Sequence, residues 1–427
     1  MRPRALLALA LLLLATPARA FVLAEDELAD TSTELGFMVR GFTFTLTGPT
    51  LRYPYIPLPD HDEDPTGLGL FDLRATFSHR RSWLKVVVHN QLGLLTRSPP
   101  PSIDLGQLSF GRGQEPRRWL PLERDLVDHE GYSLRENLDW AFVALSRGPL
   151  TLTVGRQPIT IGRGKIWKPL DLIATFALTE VDTEYKPGAD ALRLDWTAAE
   201  QTTLSLIASA GKWRGELLAG SALALRGKQV LSFGEIGLLA GLIRRDVVIG
   251  LDAVWDLGRY DIYGELALHA LFDGSLTPAQ PERGPIVPRA LLGATFKPTA
   301  KLTLSPELHY NGFGEWDAED YLGVGLSDRV AMGEMYNMGR VYAAGIALWE
   351  LHPLVTVNGG LIINPLDPSG LVSLGLNYSL AANMVLVAGA YIPAGRLPDL
   401  RAKPLPAPRS EFGLYPTFLF LELKAAM

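Results

Sequence analysis

Apolar and polar residues alternate with a period of two along most of this chain, and that pattern decides what it can fold into. In "FDLRATFSH", Phe71, Leu73, Ala75 and Phe77 share one face, and Asp72, Arg74, Thr76 and Ser78 the other. "LKVVVHNQLGLL" sets Leu84, Val86, Val88, Leu92 and Leu94 against Lys85, His89 and Gln91. The same division recurs in "VIGLDAVWD", "YDIYGELALHALF", "KLTLSPELHYN" and "LVSLGLNYS". Beyond residue 20 no apolar run approaches the ~18 residues of a spanning helix. A membrane-inserted chain of this kind must therefore cross with strands.

The connections alternate too. Short ones fall near Arg80-Arg81, Arg147-Gly148, Ala199-Glu200, Gly227-Lys228, Gly258-Arg259, Thr299-Ala300, His352-Pro353 and Ala381-Ala382. Between them lie connections that are mostly longer, at 48–66, 96–132, 158–187, 272–286, 313–337 and 394–410, with short members near 213, 244 and 366. The count predicts about 18 strands, each near the ~10 residues a tilted strand needs to cross a bilayer. A different division of 212–246 gives 16. An even count returns the chain to the side on which it started.

A soluble sandwich also has apolar and polar faces. Two features favour a membrane barrel. Acids, bases and histidines occupy mid-strand positions on the polar face, as in a wet interior, while the apolar face carries almost no charge. Aromatics on the apolar face, among them Trp196, Trp255, Tyr260, Phe296 and Tyr378, sit close to short turns, where lipid headgroups would lie. In hydrocarbon no strand edge can stay unpaired, so the sheet must close on itself. A ring of 16–18 strands is too wide for side chains to fill.

Residues 1–20 read as a secretory signal peptide, with basic Arg2 and Arg4, a leucine-rich middle and Ala18-Arg19-Ala20 before the cut. Residues 21–427 form one barrel domain. Losing three arginines moves the formal charge from −6 to −9, which argues against nucleic acid as a partner. The chain has no cysteine, hence no disulfide, thiol nucleophile or lipid anchor. The expected location is the bacterial outer membrane, with its lipids as neighbours. The last strand, "LYPTFLFLELKAAM", resembles the C-terminal signal read by barrel-assembly machinery, although it ends in Met427 instead of an aromatic. Homo-oligomerisation stays open, because a lipid-facing surface looks like a subunit seam.

The segment 158–187 is the candidate selector. It carries Arg163, Lys165, Lys168, Asp171, Glu180, Asp182, Glu184 and Lys186, and an apolar run from Leu170 to Leu178 that a solvated loop would not need. That run predicts a loop folded inward against the wall. Charges of both signs at a constriction would orient small hydrophilic or ionic solutes. The expected pore-lining set is Arg156, Arg163, Lys165, Lys168, Asp171, Arg193, Asp195, Arg74, Lys85, Asp252 and Glu265. Arg40, Asp72, His89, Arg135, Asp139, Arg289 and Glu307 share the polar face. The bland alternative is that Arg156 with Asp171 or Asp190 only staples the loop.

"GRQPITIGRG…KPLDL…VDTEYKPGADALRLDW" resembles a Gly-Arg-Gln…Gly…Pro-x-Asp…Gly-x-Asp-x-x-Arg signature of proteobacterial porin-like barrels, the alginate-export and related porin-type families. The matching positions are Gly155, Arg156, Gln157, Gly162, Pro169, Asp171, Gly188, Asp190 and Arg193; Ile161 stands where a tryptophan would be expected. The resemblance implies a passive channel lined by basic and acidic groups. It is silent on substrate.

Other chemistry finds little support. Asp60, Asp62 and Asp64 alternate as in a calcium loop, but Pro65 and Phe71 stand where glycine and glutamate belong, so a solvated acidic loop is the preferred reading. "GRGK" at 162–165 lacks the rest of a phosphate loop. The seven histidines show no metal spacing, and no cofactor is expected. A barrel enzyme would need a Ser–His pair or an acid–His cluster at the rim, and none stands out. A secretion or structural barrel is the other alternative.

Overall fold

In a computed structural model, the structure describes residues 21–26, 30–47, 66–98, 117–174, 185–271, 285–399, 401–402 and 407–426. Residues 1–20, the expected signal peptide, and Asp60, Asp62, Asp64, Glu180, Asp182, Glu184 and Met427 lie outside them. Among the described residues, twenty strands form one antiparallel sheet. They are β1 (Phe21–Asp26), β2 (Thr31–Thr47), β3 (Thr66–Arg81), β4 (Leu84–Ser98), β5 (Glu123–His129), β6 (Tyr132–Arg147) and β7 (Leu150–Gln157). Then come β8 (Ala189–Ala199), β9 (Thr202–Ser209), β10 (Ala222–Leu231), β11 (Gly234–Ile243), β12 (Asp246–Asp256), β13 (Tyr260–Leu271) and β14 (Ile286–Thr299). The rest are β15 (Leu302–Asn311), β16 (Val341–His352), β17 (Val355–Asn364), β18 (Ser369–Ala381), β19 (Met384–Ala394) and β20 (Thr417–Ala426).

Each strand pairs with its neighbour, β20 pairs back onto β2, and the ring closes. Two strands stand outside the ring. β1 hairpins onto the start of β2, and β5 pairs with the upper part of β6. Removing these two from the twenty leaves 18 in the barrel, the larger of the two expected counts.

Alternation places the faces as the sequence predicts. Ile249, Leu251, Leu292, Leu308, Leu419 and Leu421 are exposed on the outside, while Val248, Asp252, Glu265, Leu291 and Glu307, of opposite parity, are buried. Trp196, Trp255, Tyr260 and Tyr378 stand on the exposed face, and the Tyr260 and Phe296 rings pack across β13 and β14 at 5.9 Å.

One expectation needs correcting. Gly227 and Lys228 do not form a turn; they lie inside β10, and the reversal comes at Ser232-Phe233. A Gly-Lys pair breaks a strand only where its charge must reach bulk water, and here the wet interior accepts Lys228.

Strand length varies around the ring. β2, β3, β4 and β6 have 17, 16, 15 and 16 residues. β7 and β9 have 8 each, and β10 and β11 have 10 each. One side of the wall is therefore low. At its rim, residues 117–122 are fastened to the tops of β6, β7 and β8: Asp190 accepts from Trp119 N at 2.9 Å and Leu120 N at 2.7 Å.

Candidate constriction inside the barrel

The segment after β7 returns to β8, the next strand in the ring, but its hydrogen bonds reach across to β12, β13 and β15. Its backbone is held by two carboxylates of those strands. Glu265 on β13 accepts from the N–H groups of Arg163, of Gly164 at 2.7 Å and of Leu170 at 3.2 Å. Glu307 on β15 accepts from Lys165 N at 2.5 Å, Ile166 N at 3.1 Å and Trp167 N at 3.2 Å, and from the Tyr263 hydroxyl at 2.9 Å. Such charge-assisted bonds satisfy N–H groups that a loop without secondary structure would otherwise leave orphaned. The positive φ of 97° at Gly162 and the close approach of Glu265 leave no room there for a side chain.

The apolar part of the segment explains itself by packing. Ile159, Ile161, Leu170, Leu172 and Ile173 form one buried cluster with Ile207, Leu239, Val248 and Ala267 of the wall. Trp167 stacks on His309 at 5.1 Å and tilts against Tyr342 at 5.8 Å. Leu170 fills the space beside Gly250, where a Cβ would meet it at 2.4 Å.

Two further connections join the segment inside the barrel, which sequence reasoning had not singled out. Residues 312–340 carry two short helices, α1 (Tyr321–Gly325) and α2 (Asp328–Ala331). The Trp167 indole N–H donates to Asn337 Oδ1 at 2.7 Å, and Asn337 Nδ2 donates to Glu411 Oε1 at 2.8 Å. That relay ties three connections to each other. Glu411 also accepts from Met338 N, Asn364 Nδ2 and the Tyr342 hydroxyl. Burial raises the Glu411 carboxyl above the ordinary carboxylate range, against the pull of these donors. Arg329 bridges Asp246 at 2.8 Å and Glu334 at 3.0 Å. Burial works to raise the Glu334 carboxyl, but Arg329, then Arg244, hold it down at about 2.

The sequence-predicted residues fall into three places. On β12–β13 and the segment facing them, Arg163 pairs with Asp252 at 3.0 Å and with Glu235, while Arg226 shares Asp252 at 3.2 Å. Lys165 is exposed on this segment, with its ammonium 6.0 Å from the Tyr263 ring centre, and Lys168 is half-buried. Nearby on β8, Arg193 pairs with Asp195 at 2.9 Å, and Asp195 accepts from Ser205 at 2.5 Å. Across the barrel, β3 stands nine places from β13 in the ring. There Arg74 pairs with Asp139 at 2.9 Å under Tyr185, Arg40 pairs with Asp72 at 2.6 Å, and Lys85 is exposed on β4.

The third place is inside the packing. Arg156 is only 2 % exposed; it bonds Asp190 at 2.8 Å and the carbonyls of Leu138 and Leu120. Asp171 is 1 % exposed and holds Lys186 at 2.6 Å; burial pushes its carboxyl up and the Lys186 charge pulls it back. The structure thus brings Arg163, Asp252 and Glu265 together, sets Arg74 and Lys85 opposite them, and uses Arg156 and Asp171 to fasten backbone.

No family model matches the sequence, and no curated protein sequence matches it. Solved structures do match. OccAB1 of Acinetobacter baumannii aligns with a TM-score of 0.54 at 9% identity, over 96% of this chain and 98% of that one. OccK8 (OprE) of Pseudomonas aeruginosa gives 0.54 at 8% identity, over 92% and 98%. A BenF-like porin from Pseudomonas fluorescens Pf-5 gives 0.52 at 10% identity, over 92% and 98%. The narrower likeness to alginate-export barrels stays confined to the motif at 155–193. Identities this low speak for architecture alone: the chain has the 18-stranded barrel fold of outer-membrane porins.

Proposed function

We propose that the protein is an integral outer-membrane channel through which small hydrophilic or ionic solutes diffuse passively. The observation that carries this reading is the segment after β7, pinned by its own backbone to Glu265 and Glu307. A closed barrel needs no such inner segment for stability, whereas a selective passage does. In this reading Arg163, Lys165 and Arg193 with Asp195 present charge to a passing solute from one side and Lys85 from the other, while Arg74, buried on Asp139 under Tyr185, supports the wall there. Arg156, Lys168 and Asp171 position the segment. The C-terminal strand β20, which seals the ring against β2, is the part that barrel-assembly machinery would engage.

Reconstitution into a planar bilayer tests the reading. Discrete conductance steps are expected, and the reversal potential under a salt gradient should move when Arg193 is replaced by alanine. Absence of steps from correctly folded protein would end the channel reading and leave an enzymatic or structural barrel.

A further inference from the structure

Under residues 312–340 the wall buries more cationic nitrogen than it pairs. Arg289 on β14 is 5 % exposed, and its side chain makes no hydrogen bond or ion pair with the described residues. Its Nε is buried without a partner, as is Arg329 Nε; His269 Nε2, also unpartnered, is a lone-pair acceptor, because Nδ1–H is given to Asp246. The register puts these groups side by side. Arg289 stands opposite Ala267 of β13 and Asn311 of β15, so its diagonal neighbours on the same face are Glu265, His269 and His309. The charges acting most strongly on Arg289 are Glu334, Arg329 and Glu265.

None of the three supplies an acceptor. Both Glu265 oxygens are occupied by N–H groups of residues 163, 164 and 170. Glu334 is taken by the Arg329 guanidinium, which also reaches Asp246. The His269 ring places Nδ1 at 3.2 Å from Asp246 and presents its edge to Phe313, whose face is covered by Arg329 at 4.0 Å. A buried guanidinium with no acceptor is costly, and a protein avoids that cost by supplying a counter-charge.

We propose that a small inorganic anion of halide size binds the buried Arg289 guanidinium. There it completes the contact between residues 312–340 and the wall. Asp246, His269 and Glu334 lie close enough together to suggest a cation site instead. The Arg329 guanidinium already fills that role between the two carboxylates, and the unpaired Nε groups of Arg289 and Arg329 are donors that a cation would not satisfy. The enclosure by Phe313 and Arg329 favours an ion over the charged end of a larger solute.

The test uses the full-length protein in detergent and does not depend on conductance, so its failure is separable from failure of the channel reading. Crystals soaked in bromide should show an anomalous peak in contact with the Arg289 guanidinium. The thermal unfolding midpoint should be a few degrees higher in chloride than in gluconate at equal ionic strength. Arg289→Gln should lose both effects while keeping the heat-modifiable gel migration of a folded barrel. A peak that survives Arg289→Gln, or wild-type protein with no peak at this position, overturns the proposal. Should Arg289→Gln fail to fold, the wild-type peak and the chloride–gluconate difference decide the matter by themselves.

Discussion

At the scale of single residues, two carboxylates carry an unusual load. Glu265 and Glu307 each bond three backbone N–H groups of the inner segment, of residues 163, 164 and 170 and of residues 165–167. Truncating one strands donors that water cannot easily reach, at roughly 1–3 kcal/mol per unsatisfied group. Glu307→Ala is therefore expected to loosen residues 165–167 by on the order of 3 kcal/mol. Single-channel recording would show it as larger, noisier conductance than wild type; Glu307→Gln, which keeps acceptor oxygen, should fall between. An unaltered trace would mean that Trp167 and the apolar cluster hold the segment without the carboxylate. The sequence shows Glu265 and Glu307 to be inward, because parity in a strand is exact. It does not show their partners, which lie 95–102 and 140–142 positions away. Arg156 illustrates the same limit: its conspicuous motif marks a residue that matters, yet its bonds to Asp190, Leu138 and Leu120 depend on a rim fixed by other strands.

At the scale of elements, strands were legible and inner connections were not. Alternation and turn spacing locate the barrel strands because each face meets one solvent. The exceptions have local causes. Lys228 was misread as a turn because water inside the barrel tolerates it. The reversal at Arg244-Arg245 uses two arginines at positive φ, 47° and 73°, where glycine or asparagine would ordinarily signal it. Residues 312–340 have no periodicity to read; their fold comes from Arg329, clamped by Glu334, reaching Asp246, and from Asn337 reaching Trp167 and Glu411. Their anchoring should depend on acid. Glu334 is held at about 2, below the ordinary carboxylate range, so it binds a proton less readily folded than unfolded. Its contribution, on the order of 3 kcal/mol, is complete above the ordinary value and drains as pH falls towards 2. Glu411 has the opposite sign: its carboxyl is raised by burial, so lowering the pH through the ordinary range relieves it. Hydrogen exchange near pH 3 should accelerate at residues 328–335 relative to pH 7, after correction for intrinsic rates, with residues 410–415 unaffected. Equal acceleration in both would show that the connections open as one unit. Glu334→Gln should mimic the acid state at neutral pH.

At the scale of the whole molecule, the wall is not a uniform cylinder. Between β6 and β7 the ladder runs through seven residue pairs, Ala141↔Arg156 to Arg147↔Leu150, whereas β2 and β3 are matched over fifteen. Seven or eight residues at ~3.3 Å each, tilted by roughly 40°, raise the wall about 20 Å, against the ~25 Å apolar band of an outer-membrane barrel. The deficit lies where residues 117–122 cross the rim with Trp119 and Leu120 exposed, and where Arg156 and Asp190 pair inside the cover they provide. A bilayer of ordinary thickness would have to thin beside β7–β9, at a cost of fractions of a kcal/mol per Å of mismatch. The barrel should therefore fold more completely into vesicles of short-chain lipids, of ~12 carbons, than of ~18, as scored by the heat-modifiable band on a gel. Replacing both Trp119 and Leu120 by serine should steepen that dependence, because the apolar patch above the short strands is what extends the greasy band on this side. Equal folding in both lipids would show that the low wall is level with the headgroups, and that residues 117–122 never touch the hydrocarbon.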